Sequence, residues 1–207
     1  MIKVDSQYIT GLILAGGRGS RMGHVDKGLQ PFRGEPMVAH AMRKLAAQTG
    51  SLAINANQNP DQYAQFGVPV WADDLQGFEG PLAGLETGLR RCATPLLVTA
   101  PCDSPFLPDD LVQRLHQAMT GQGADLALAE TLEPDDDGAA RVQPHPVFAL
   151  MRTSVLPHLS AYLAEGGRRM DGWYPRIKVA RVRFADADAF RNINTLRELQ
   201  QFEQDPP

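Results

Sequence analysis

An uncharged, partly β-branched run, Ile9 to Leu14 (ITGLIL), breaks abruptly into AGGRGSRMG, and this junction constrains the fold more than any other stretch of the chain. A short apolar run without charge suits a parallel strand buried on both faces. Gly16, Gly17, Gly19 and Gly23 permit backbone with φ above zero and let N–H groups converge on an anion, while Arg18, Arg21 and Lys27 add positive charge within reach. A strand that feeds such a loop suits a polyphosphate. Two commoner glycine motifs do not fit. A Walker loop ends in Gly-Lys-Ser/Thr, whereas Gly28 is followed by Leu29 and Gln30, and the dinucleotide fingerprint needs a third glycine where Met22 stands.

The string from Leu14 to Leu29 follows the pattern LAGGxxxRMGxxDKxL, with Leu14, Ala15, Gly16, Gly17, Arg21, Gly23, Asp26 and Lys27 in place. It resembles the signature of the nucleotidyltransferases with a GT-A-like fold, and most closely that of the molybdenum cofactor guanylyltransferases. His24 departs from the glycine of that pattern. The resemblance implies a loop that wraps a triphosphate and a lysine, Lys27, that binds it. It also implies an α/β fold with three α/β/α layers around a Rossmann-like, mostly parallel sheet.

Length and charge narrow the class independently. The 207 residues, 43% of them hydrophobic, are enough for a full core, and a single domain over 1–207 is expected. With 20 basic against 24 acidic residues the net charge is −4, so the chain lacks the basic field that non-specific nucleic-acid binding requires. Cys92 and Cys102 form no CxxC or Cys/His ligand spacing, which points to reduced thiols in a cytoplasmic protein. No apolar run approaches the ~20 residues of a membrane span, and the N-terminus has no apolar signal core.

After the loop the pattern alternates. Pro36–Gln48 reads as a crossover helix with proline at its first position, Leu52–Ala56 as a strand, Pro60–Phe66 as a helix and Val68–Trp71 as a third strand. Strand-helix alternation argues for a parallel sheet, in which ligands bind beyond the C-terminal strand ends. Asn55, Asp73 and Asp74 fall there, and so does Asp103, which follows the buried strand Pro95–Ala100. A buried acid without a partner is costly, and a hard cation on phosphate oxygens would satisfy it. The alternative for Asp103, a helix cap, is weakened because Asp109 and Asp110 already stand at that helix start. Glu130–Asp137 carries five acids without calcium-loop spacing and reads as a solvated loop rather than a metal site. Gln143–Met151 and Val179–Phe184 read as strands, with helices over Asp109–Met119, Thr153–Glu165 and up to Phe202.

The resemblance assigns roles beyond this. It implies that Gly80-Pro81-Leu82-Ala83-Gly84 starts a helix whose end faces the cleft, and that Asp103 binds Mg²⁺. Leu14, Ala15, Gly16, Gly17, Lys27, Asn55, Asp73 and Asp103 would hold GTP, with Arg21, Lys27 and Asp103 as the catalytic set. Asn55, Asp73 and the backbone near Leu14 are candidates for reading guanine, with Asp73 alternatively near the ribose. The acceptor side would take His145, the cationic and aromatic segment Arg168, Arg169 and Trp173, and the asparagines Asn192 and Asn194 of the NxNT-like element. For the first two of these the residues alone also allow a turn histidine and a surface loop with a buried tryptophan.

The implied reaction transfers GMP from GTP to the phosphate of the molybdopterin (molybdenum) cofactor, giving its guanine dinucleotide form and pyrophosphate. An anionic nucleophile needs no general base, in keeping with the absence of a Ser/His/Asp constellation. The implied partners are GTP, the molybdopterin cofactor and proteins that deliver the cofactor or receive the product. Three rivals stay open: a sugar-1-phosphate or cytidylyl transferase on the same fold, a glycosyltransferase, and a regulatory paralogue without turnover. The glycosyltransferase is disfavoured because Asp103 is followed by Ser104 and Pro105 rather than by an Asp-x-Asp motif.

Overall fold

A computed structural model of the chain describes residues 4–15, 26–74, 80–135 and 137–204. The expectations for Gly16, Gly17 and Arg21 lie outside these residues. The apolar run Ile9–Leu14 forms strand β1, an interior strand of a seven-stranded sheet ordered β5-β4-β1-β6-β8-β7-β9. Its members are β4 (Ser51–Asn55), β5 (Val70–Trp71), β6 (Leu96–Pro101), β7 (Leu126–Pro134), β8 (Ala140–Arg152) and β9 (Val179–Arg183). Strand β8 alone runs against its neighbours, and every other pairing is parallel. The mostly parallel sheet is thus present, with a small hairpin of β2 (Pro31–Phe32) and β3 (Glu35–Pro36) beside it.

Two apolar clusters cover the sheet, as its uncharged strands require. One face carries Ile9, Ile13, Ile54, Val98 and Ala100 beneath α1 (Met37–Ala46), α2 (Pro60–Ala64) and α4 (Leu111–Gln122). The other carries Leu12, Ala53, Leu97 and Leu128 beneath α3 (Pro81–Arg91), α5 (Leu156–Ala164) and α6 (Met170–Trp173). Helix α1 buries Met37, Val38, Ala41, Met42 and Leu45, the spacing of one helical face. Its Met, Val and Leu side chains each contribute about 1.5–3 kcal/mol on burial. Pro36 ends β3 and caps the helix rather than opening it.

Two glycines let α3 ride close to the sheet. A Cβ on Gly84 would overlap the Asn55 amide, and one on Gly88 would overlap the Leu12 side chain. Helix α3 therefore starts against the end of β4, where the proline at its first position and Gly80 at φ 116° set its entry.

The acidic stretch Glu130–Asp137 is not a loop throughout. Strand β7 continues to Pro134 and pairs with β8 from Ala129↔His145 to Pro134↔Ala140, beyond a register shift after Leu128. Glu130 is buried, which is tolerable because Arg183 donates to it at 2.8 Å and Arg181 stands 3.9 Å away. The turn is short: the Asp135 carboxylate accepts the amides of Asp137 and Ala139, and Gly138 takes φ 78°. Helix α7 (Leu196–Gln204) closes the described chain, and among the described residues no helix is long and apolar enough to cross a membrane.

Candidate active site

From β1 the chain moves to β4 and β5 on one side and then to β6 on the other, so the order of the parallel strands reverses between β1 and β6. That reversal opens a crevice beyond the carboxyl ends of the two strands, the place where open α/β sheets bind ligands. Backbone bonds carry the register past the strands: Ala15 N–H donates to Asn55 O at 2.8 Å and Cys102 N–H to Leu14 O at 3.1 Å. Leu14, Ala15, Asn55 and Asp103 therefore emerge along one edge.

Lys27 opens a 3₁₀ turn, Lys27–Leu29, at this edge. Its Nζ donates to Asn194 Oδ1 at 2.8 Å and lies 3.4 Å from Asp103 Oδ2. Asp103 is only 9% exposed. Burial raises its carboxyl above the ordinary carboxylate range, and the Lys27 ammonium pulls it back only in part. It does not cap α4, whose first turn follows Asp110. The neighbouring Cys102 is buried, and burial pushes its thiol well above the ordinary value.

The C-terminal asparagines arrive by a well-tied route. Ile193 N–H donates to Asp103 O at 2.8 Å, and Ser104 Oγ donates to Asn192 Oδ1 at 2.5 Å. Thr195 and Glu198 form a reciprocal cap on α7, with Glu198 Oε2 accepting the amides of Asn194 and Thr195, each at 2.8 Å. Asn194 is thereby fixed beside Lys27.

A second cluster surrounds Asp73. Asn55 Nδ2 donates to Trp71 O at 2.9 Å and to Asp73 Oδ1 at 2.8 Å, so both of its amide hydrogens are committed. Asn57 closes a ring with Asp73, donating to Oδ2 and accepting the Asp73 N–H, both at 2.8 Å. Asn55 and Asn57 act on Asp73, and each Asp73 oxygen keeps a lone pair for a further donor.

The acceptor candidates do not share one wall. Trp173 is fully exposed to the core and not to solvent, at 0% accessibility within the α3–α5–α6 cluster, so its indole offers no face for stacking. His145 lies on the opposite face, stacked on Phe190 at 4.7 Å and hydrogen-bonded through Nε2 to Thr131 Oγ1 at 2.8 Å. Burial lowers its pKa, and the nearby Glu133 carboxylate offsets this in part. Arg169 points outward and pairs with Asp171 at 2.6 Å. Arg168 donates to Leu163 O and Gly167 O, and its backbone carbonyl lies 3.9 Å from where a Cβ on Gly80, before α3, would stand.

Two contributors were not apparent as such in the sequence: Ser104 acts through Asn192, 88 positions on, and Asn57 through Asp73, 16 positions on, partnerships that no local pattern marks. The Thr195-x-x-Glu198 capping box was available as a signal. Among the described residues, no group of three or more His, Cys, Asp or Glu side chains converges in a way that could hold a metal.

The family model described as "MobA-like NTP transferase domain" matches residues 11–177. The molybdenum cofactor guanylyltransferase of Cupriavidus taiwanensis is 57% identical over 195 residues, covering 94% of this chain and 96% of its own. That of Cupriavidus necator is 58% identical with the same coverage. Among solved structures, molybdopterin-guanine dinucleotide biosynthesis protein A from Archaeoglobus fulgidus superposes with a TM-score of 0.75 at 20% identity, over 94% of this chain and 97% of its own. The 4-diphosphocytidyl-2C-methyl-D-erythritol synthase of Anaerococcus prevotii gives 0.71 at 13% identity, over 96% and 98%. The solved structures show the fold alone, and the agreement in sequence shows the family: the chain belongs to the MobA-like NTP transferase family.

Proposed function

We propose that this enzyme transfers GMP from GTP to the phosphate of the molybdopterin cofactor and releases pyrophosphate. The observation that carries the reading is the Lys27–Asp103–Asn194 cluster at the strand-order reversal, in a family whose curated relatives are named for this transfer. The attacking phosphate is already anionic, so the protein must position two anions and offset their repulsion rather than remove a proton. Lys27 does the second as a point charge. Asn194 and Asp103 hold its Nζ in place until phosphate oxygens replace them.

Asp103 fits a hard divalent cation, and Mg²⁺ is the one we assign. A desolvated carboxylate with a single lysine partner suits an ion that takes few protein ligands and completes its shell with water and phosphate oxygens. When bound, Mg²⁺ supplies charge neutralisation on the polyphosphate. Asp73, held by Asn55 and Asn57, supplies acceptors for the guanine N1–H and N2–H₂ donors. Loop residues Gly16, Gly17 and Arg21 complete the phosphate site in this reading. For the acceptor we keep Asn192, Asn194 and the Arg168 segment beside Gly80. The two cysteines are unpaired, in keeping with a cytoplasmic enzyme that exchanges cofactor with delivery and target proteins.

Pyrophosphate release by the purified chain tests the reading. Release should require GTP, Mg²⁺ and molybdopterin together. Equal turnover of ATP or CTP would overturn the guanylyl assignment, and tight GTP binding without any release would favour the regulatory paralogue.

A further inference from the structure

Asp26 is an acid in an unexpected place, one residue before the lysine read as a phosphate ligand. As the residue that precedes the 3₁₀ turn it could cap that turn, yet its side chain makes no capping bond. It reaches instead to α2. Tyr63 Oη donates to Asp26 Oδ1 at 2.6 Å across 37 residues, and Asn59 Nδ2 donates to Oδ2 at 3.0 Å across 33. Gln30 Nε2 adds a bond to the Asp26 carbonyl at 3.2 Å.

The Tyr63 ring is fully buried. A Cβ on Gly28 would stand 2.5 Å from its hydroxyl and 3.2 Å from Cys102 Sγ, so only glycine lets the turn seat between the phenol and the strand end that carries Asp103. Burial, then the nearby Cys102 and Asp26, push the phenol far above its usual pKa, so Tyr63 stays a donor at any working pH. Asn59 sits at φ 49°, a left-handed conformation that asparagine tolerates better than most residues, and from there its amide reaches Asp26.

We propose that Tyr63 and Asn59 form a latch on the Asp26 carboxylate that holds this acid away from the phosphate site and fixes the backbone from which Lys27 projects. Both are positioning residues, and the inference rests on the reading of Lys27 as a phosphate ligand. Without the latch the carboxylate of Asp26 is released next to Lys27, where it competes with phosphate for the ammonium and repels the incoming triphosphate. With it, two donors satisfy the charge, and among the described residues Asp103 is the carboxylate left for Lys27 beside the substrate.

The test is equilibrium binding of GTP with Mg²⁺ to the full chain, with steady-state kinetics alongside. Tyr63→Phe keeps the ring and removes the donor. It should weaken GTP binding about tenfold and raise KM for GTP with kcat nearly unchanged. Adding Asp26→Asn to Tyr63→Phe removes the freed charge and should restore affinity to within about threefold of wild type, a rescue that a packing role would not give. Asn59→Gly, which keeps the left-handed backbone accessible, should shift affinity in the same direction by a smaller factor. Wild-type-like GTP binding by Tyr63→Phe, or a double variant no better than the single, would overturn the latch while leaving the proposed function standing. Failure of the wild type to bind GTP would overturn both.

Discussion

The two halves of the sheet use their polar side chains differently. In the half formed by β5, β4, β1 and β6, polar groups at the strand ends face one another across a crevice: Lys27 reaches Asn194 and Asp103, and Asp73 is gripped by Asn55 and Asn57. In the half formed by β8, β7 and β9, comparable groups are satisfied on the spot. His145 stacks on Phe190, and Glu130 is neutralised by Arg183. The difference follows from strand direction. Parallel strands all end on one edge, so whatever follows them is gathered there, whereas an antiparallel pair sends its ends to opposite edges and a long hairpin pairs with itself.

If the crevice is the working half, damage to its charged centre should have the largest effect. Asp103→Ala should keep the fold and lower Mg²⁺-dependent turnover about a hundredfold or more, since several kcal/mol of charge stabilisation depend on the carboxylate. Normal turnover at ordinary magnesium concentrations would break the comparison at its strongest point. Lys27→Ala comes next. Hydrogen bonds to charged groups are worth ~1.5–3 kcal/mol, so GTP affinity should fall roughly tenfold or more while the ligand-free melting temperature barely moves. A large drop in melting temperature with full activity would make Lys27 structural.

Asp73→Asn sharpens the comparison by asking what the second cluster reads. Leaving a guanine donor unpaired costs about 1–3 kcal/mol, and the preference for GTP over ATP should shrink accordingly in competition binding. An unchanged preference with weaker binding of both nucleotides would move Asp73 to the ribose. The smallest expected effect is on stability. Because burial raises the Asp103 carboxyl in the folded state, the native protein holds that proton more tightly than the unfolded chain, and stability falls as pH rises from the unfolded value through the raised one. Asp103→Asn should therefore melt above wild type at neutral pH without ligand, and the gain should vanish at low pH. A constant difference across pH would detach it from this ionisation.

The crevice half was largely legible in the sequence, because each of its signals is local. An uncharged run gives the strand, the next polar residue marks its end, and the parallel pattern puts Asn55, Asp73 and Asp103 on one edge. The start of α3 was legible too, through Gly80-Pro81. What could not be read was which side chains satisfy one another. Asn55 looks like a ligand in the sequence and acts on Asp73, and Trp173 looks like a stacking face and is core. The extent of β7 was hidden because its buried acid, Glu130, is neutralised by arginines some fifty residues later, Arg183 lying 53 positions away. Composition describes a residue, whereas partnership depends on the fold.

Amide hydrogen exchange with and without GTP and Mg²⁺ tests the central division most directly. GTP with Mg²⁺ should slow exchange at Leu14–Ala15, Lys27–Leu29, Asn55–Asn57, Trp71–Asp74 and Cys102–Ser104, and leave residues 140–147 of β8 as they are in the free protein. Protection centred on β8, with the ends of β1, β4 and β6 unchanged, would contradict a nucleotide site at the parallel strand ends.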